Sequence, residues 1–233
     1  MTRRSAMAGA PATEGFPTPG DQVVDVAYLS RAGWGADESL RCGPDGAEHY
    51  PEAYFPVQAL TVHHTVTAND DPDPAATMRA IYAFHTLTQD FGDVGYHLLI
   101  DRFGTVHEGR WSGADGIPVF GGPAGPVPRM GNAAHVGGFN AGNIGIAFLG
   151  DLTATAPTPA ARQAMVTVLA ALARATGIDP LAQVTYVNPL SGATAQVPAI
   201  SGHRDRLPTQ CPGDACYSIL PALRADVAAL VHR

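Results

Sequence analysis

Positive charge is scarce in this chain. Fourteen Lys and Arg residues face 21 Asp and Glu, a formal net charge of −7, and no stretch gathers basic side chains into a patch that would neutralise phosphates. Nucleic acid and anionic membrane are therefore not expected as partners. Long apolar runs are missing too. None approaches the roughly 18 residues of a membrane span, so no membrane insertion is expected. The opening MTRR is followed by SAMAGAPATEGFPTPGDQ, which lacks the apolar core of about 7 to 15 residues that a secretory signal needs. Cysteine is equally rare. Cys42, Cys211 and Cys216 are too few for a disulfide framework, and their odd number leaves at least one outside any internal pair.

What the chain does have is loop-forming residues around enough apolar ones for a core: 26 Gly, 20 Pro and 45% hydrophobic residues in 233. That describes a loop-rich globular protein with one sizeable domain. Residues 1–22, rich in Ala, Gly, Pro and Thr without periodicity, read as a disordered arm, and the domain spans 23–233. β-Branched and aliphatic runs bounded by Gly, Asp or Asn predict strands near 57–63, 94–100, 104–107 and 143–149. Helical spacing of apolar residues predicts helices near 74–89, 158–176 and 217–232, with Pro74 and Pro159 suited to a first turn. The alternation of strands and helices makes the class α/β with a central sheet. Residues 111–134, Gly- and Pro-rich with no period, form a loop long enough to be functional or mobile.

Two segments carry chemistry. In LTVHHTV, residues 60–66, two imidazoles stand side by side in an apolar strand. Strand neighbours point to opposite faces, so His63 and His64 cannot do the same job. In SGHRDRLPTQCPGD, residues 201–214, Pro208 and Pro212 exclude one continuous helix, and a loop can fold His203 and Cys211 toward one point. A thiolate and an imidazole together suit zinc, and one further imidazole from HHT would complete three protein ligands and leave the fourth position for water, the catalytic arrangement. Taken singly, each motif is more often a buried inert cysteine or a packed histidine. His63 and Tyr96 sit near the C-terminal half of apolar strands, and the C-terminal ends of strands are where α/β sheets build their sites.

The motifs also occur together and in order: SRAGWGADESLR (30–41), VHHT (62–65), DVGYHLLIDRFGTVHEGR (93–110), AHVGGFNAGNIGIAFLGD (134–151), then ISGHRD and CPGD (200–214). In this the chain resembles the zinc-dependent N-acetylmuramoyl-L-alanine amidases of the type 2 amidase and peptidoglycan recognition protein superfamily. The resemblance implies a single α/β domain with a central mixed sheet flanked by helices. It implies His63, His203 and Cys211 as ligands of Zn2+, Tyr96 as the catalytic tyrosine, and Thr209 near the bound water. His135 matches the substrate-side histidine, followed by Gly137 and Gly138, where backbone can approach a ligand closely. Asn140 and Arg110 are further substrate-side candidates, and Arg110, like Asp205, could equally serve a structural ion pair.

The implied reaction is hydrolysis of the amide between N-acetylmuramic acid and L-alanine. Peptidoglycan or muropeptides would be the partner, the chain a monomer, and the site of action extracellular or at the cell wall, with a cytoplasmic stage before export. Three rivals remain: a non-catalytic peptidoglycan receptor, a cytoplasmic recycling amidase and a phage-type lytic enzyme. Receptors of this superfamily generally lack the ligand cysteine, which is present here as Cys211. His64 and His97 are expected to be packed away from the site, and His85 to lie in the core or on the surface. Cys42 and Cys216 could form one disulfide or remain two free thiols.

Overall fold

The computed structural model describes residues 26–114, 118–123, 125 and 127–232. The expected arm at 1–22 lies outside them. In chain order the elements are β1 (Tyr28–Leu29), α1 (Arg31–Trp34), β2 (Tyr54–Pro56), β3 (Ala59–His64), α2 (Pro74–Leu87), β4 (Leu98–Ile100) and β5 (Val106–Glu108). There follow β6 (Arg129–Gly131), β7 (Asn143–Phe148), α3 (Pro159–Thr176), β8 (Gln183–Val187), β9 (Thr194–Pro198), β10 (Ile200–Gly202) and α4 (Asp214–Val231).

The long helices begin where local chemistry starts them. Asp73 and Thr158 cap α2 and α3 by accepting the backbone N–H of Ala76 and Ala161, and Pro74 and Pro159 occupy first turns whose N–H would be unpaired in any case. Six strands form the central sheet in the order β1-β5-β4-β7-β3-β10. All neighbours are parallel except β4 and β5, which run antiparallel. The mixed sheet flanked by helices is the expected class.

Strand parity then sorts side chains onto two faces. Leu60, Val62, Leu98, Ile100, Ile144, Ile146 and Phe148 pack with α3 and α4 residues such as Met165, Leu169, Leu172, Leu220 and Leu223 in one apolar core. Residues of the opposite parity include Thr61, His63, Asn143 and Ser201, polar yet fully buried. Beside them, Leu99 and Ala147 pack under Met78, Ile81 and Tyr82 of α2.

Several boundaries differ from expectation. Residues 94–97 are irregular and only Leu98–Ile100 form β4, so Tyr96 precedes a strand instead of sitting near its C-terminal end. The cause is a pairing conflict: the Gly95 N–H donates to the His85 ring at 3.0 Å and the Gly95 carbonyl accepts from Ala134. The short β1, β2, β6, β8, β9 and β10 were not expected. Part of the 111–134 loop is β6, paired antiparallel with β2, and Val119 and Phe120 are buried in the main core. Among the two alternatives for Cys42 and Cys216, the structure has free thiols. Among the described residues no helix is long and apolar enough to cross a membrane.

Candidate metal centre

The parallel pairing of β10 with β3 aligns Ile200 with Leu60, Ser201 with Thr61 and Gly202 with Val62. Continued by one residue, that register brings His203 beside His63, and their ring centroids are 4.8 Å apart. His203 opens a short 3-10 turn, His203–Asp205, whose geometry is tied down from several sides. The Asp205 carboxylate accepts the Gly202 N–H and the Tyr217 hydroxyl. The Arg204 N–H donates to the Cys211 carbonyl at 3.1 Å, folding the loop back so that Cys211 faces the strand. The Cys211 Sγ lies 3.5 Å from His63 Nδ1. The ligand atoms of His63, His203 and Cys211 all fall within 4.8 Å of one another. Two imidazole nitrogens and one sulfur converging from a strand end and a tied loop are a donor set that fits zinc.

His63 is fully buried, and its neighbours explain its state. Its Nε2 is 3.0 Å from His135 Nδ1, and His135 Nε2 is 2.8 Å from the Asn143 carbonyl. Burial, reinforced by the neighbouring His135, His203 and Arg206, holds the His63 imidazole well below the usual histidine range. Burial likewise pushes His203 down to about 4. Both rings are thus neutral and free to ligate at neutral pH. Burial pushes the Cys211 thiol up to about 11, so this ligand must lose a proton before it binds a metal. His64 points the other way. It is buried on the α3/α4 side, where its Nδ1 accepts the Leu152 N–H at 3.0 Å.

The sequence profile of the N-acetylmuramoyl-L-alanine amidases matches residues 53–214, a span that holds all three donors. The chain belongs to the N-acetylmuramoyl-L-alanine amidase family. The human N-acetylmuramoyl-L-alanine amidase is 31% identical over 173 residues, which cover 71% of this chain and 24% of that protein. Peptidoglycan-recognition protein SD of Drosophila simulans is 27% identical over 198 residues, 84% of this chain and 85% of that one. The crystal structure of Drosophila peptidoglycan recognition protein SD superimposes with a TM-score of 0.59 at 26% identity, covering 84% of this chain and 94% of that one. The chain spans about a quarter of the length of the curated human and pig amidases that it matches.

Within this amidase-family domain the other expected site residues take different places. The Tyr96 ring lies 5.0 Å, centroid to centroid, from His63, and burial holds its phenol well above the usual tyrosine range. Tyr96 and His203 border a cavity of about 350 Å³ together with His85, Phe91, His135 and Asn140. A second cavity, of about 310 Å³, meets the first at Tyr96 and His85 and is lined by Thr65, Thr67, Ile81 and Phe84. Asn140 Oδ1 accepts the backbone N–H groups of His135 and Val136, so its oxygen braces the turn it sits on. Thr209 is exposed, and its hydroxyl accepts the Cys211 N–H at 3.2 Å. Arg110 is not brought to the cavities. Its guanidinium donates to the carbonyls of Phe91 and Val94 and borders a smaller recess with Arg41, Glu52, Trp111 and Asn132.

His97 is buried, bonded through one ring nitrogen to the Gly131 carbonyl and through the other to the Gly145 N–H. His85 is the cavity residue that sequence reasoning missed. It stands on α2 with one face toward both cavities, and an isolated histidine in an amphipathic helix carries no signal of that role.

Proposed function

We propose that the chain is a zinc-dependent amidase that cleaves the bond between N-acetylmuramic acid and L-alanine in peptidoglycan. The observation that carries this reading is Cys211 converging with His63 and His203, in a domain whose family is named for that hydrolysis. Three protein donors would leave the fourth position of a tetrahedral zinc for water, the catalytic and not the structural arrangement. When bound, zinc supplies a Lewis acid that polarises a carbonyl and makes hydroxide available near neutral pH. The chain's own groups do the rest. His63 and His203 are held neutral as donors. Tyr96, kept as a phenol by burial, donates a hydrogen bond to the oxygen on which negative charge develops. The two cavities on either side of Tyr96 suit a substrate that continues in both directions from the scissile bond, glycan one way and peptide the other.

The test is digestion of purified peptidoglycan and of a soluble muramyl peptide, with products read by mass spectrometry and zinc measured on the same preparation. Release of free L-alanine amino termini, stopped by a chelator and restored by zinc, is the expected result. In Tyr96→Phe, zinc content should hold while kcat falls by about 10² to 10³ with little change in muropeptide affinity. A zinc-loaded wild type that binds muropeptide and leaves it intact is instead a receptor.

A further inference from the structure

His135 lies one shell out from the donor set, and its two ring nitrogens determine which nitrogen of His63 is available. The Asn143 backbone carbonyl can only accept, so the His135 nitrogen 2.8 Å from it, Nε2, carries the proton. A neutral His135 then has a bare Nδ1. The His63 nitrogen 3.0 Å away, Nε2, must therefore donate. A neutral His63 is left with its lone pair on Nδ1, and Nδ1 is the atom that faces the Cys211 sulfur at 3.5 Å. From these contacts we infer that His135 is a positioning residue, which fixes the His63 tautomer and ring orientation so that Nδ1 is presented to the metal. A partner of this kind on the far side of a metal-binding imidazole sets ligand basicity and orientation and is worth about 10- to 100-fold in metal affinity.

The surroundings are built for this contact. A Cβ at Gly145 would stand 2.6 Å from the His135 ring, so glycine at that position of β7 lets the ring lie against the sheet. Asn140 holds the backbone of His135 in place through two accepted N–H bonds. The Asn143 side chain is held as well, accepting from Thr61 and donating to Phe139. The relay thus starts at a backbone carbonyl that cannot change its hydrogen-bonding character. Both nitrogens are used inside the protein, while the ring edge borders the cavity shared with Tyr96 and His203.

This inference rests on the zinc half of the proposed function and is independent of amidase turnover. Its first test needs no metal: nitrogen-15 NMR of the histidine rings in the zinc-free full chain. Both His63 and His135 should appear as the Nε2–H tautomer, and an Nδ1–H tautomer in either ring overturns the relay. The second test is zinc affinity, by competition with a chromophoric chelator, in two isosteric variants. His135→Asn retains an acceptor near the position of Nδ1, whereas His135→Gln retains only a donor near that of Nε2. His135→Gln should lose about 10- to 100-fold in zinc affinity, and His135→Asn should stay within a few-fold of wild type. Equal zinc affinities in the two variants overturn the proposal, as does unchanged zinc affinity with weakened muropeptide binding. A wild type that takes up no zinc would sink the proposed function, while the ring tautomers would still decide the relay.

Discussion

Leu60, Val62 and His64 alternate along β3 with Ala59, Thr61 and His63, so one strand feeds both faces of the central sheet. The face under α3 and α4 is almost wholly aliphatic. The opposite face carries Thr61, His63, Asn143 and Ser201, each at 0% exposure. Burying such groups is costly unless each finds a partner, and here they bond one another. Thr61 donates to Asn143 at 2.8 Å, Arg206 donates to Thr61 at 2.9 Å and to Ser201 at 2.6 Å, and His63 pairs with His135. The contrast teaches that stability and chemistry are separated here by strand parity. A shift of one residue along β3 exchanges the histidine of the His63–His203–Cys211 cluster for a core histidine.

The hardest blow to that contrast would come from exchanging its two histidines. His63→Ala should bring zinc from about one per chain to near none and end turnover. His64→Ala should keep both and cost about 1 to 3 kcal/mol of stability, because the Leu152 N–H loses its acceptor. Metal analysis and denaturant unfolding of both variants decide the matter, and the reverse pattern would mean that the two faces have been assigned the wrong way round. Next in size is Leu172→Ala on the helical face, buried in the main core. It should cost about 2 to 5 kcal/mol in urea unfolding and leave zinc affinity unchanged. A tenfold loss of zinc affinity there would show that the faces are coupled.

The smallest effect is a titration. Cys211, pushed up to about 11, is protonated in the metal-free chain at neutral pH, whereas His203, pushed down to about 4, and the buried His63 hold no extra proton. Zinc binding should therefore expel about one proton, and apparent affinity should rise about tenfold per pH unit between pH 6 and 8. Calorimetry in buffers of different ionisation enthalpy counts that proton. Two protons, or none, would mean that the site's ligands are not in the states described.

Much of this was legible in the sequence because it is periodic or tied to a motif. The adjacent histidines announced two faces, and the prolines around Cys211 announced a loop that returns. The three long helices followed from apolar spacing and, for α2 and α3, first-turn prolines, and β7 from its run of aliphatic residues. What stayed hidden depends on partners far along the chain. β10 is only three residues, ISG, too short to show a period, yet it sets His203 level with His63. GYH reads as strand because its neighbours are aliphatic, and it is the contacts of Gly95 with His85 and Ala134 that keep it irregular. The resemblance placed His135 on the substrate side, and the structure does set it on the cavity wall, but no pattern along the chain reveals that its two nitrogens end on Asn143 and His63.

Cys211 and His63 stand 148 positions apart, and the strand that levels His203 with His63 is the last to join the sheet in chain order. During synthesis, then, His63 emerges well before its two partners and waits for them. A chain that stops short of β10 holds His63 but neither His203 nor Cys211. For the zinc site proposed above, capture must follow the pairing of β10 with β3, and metal content in a preparation would count correctly paired sheets.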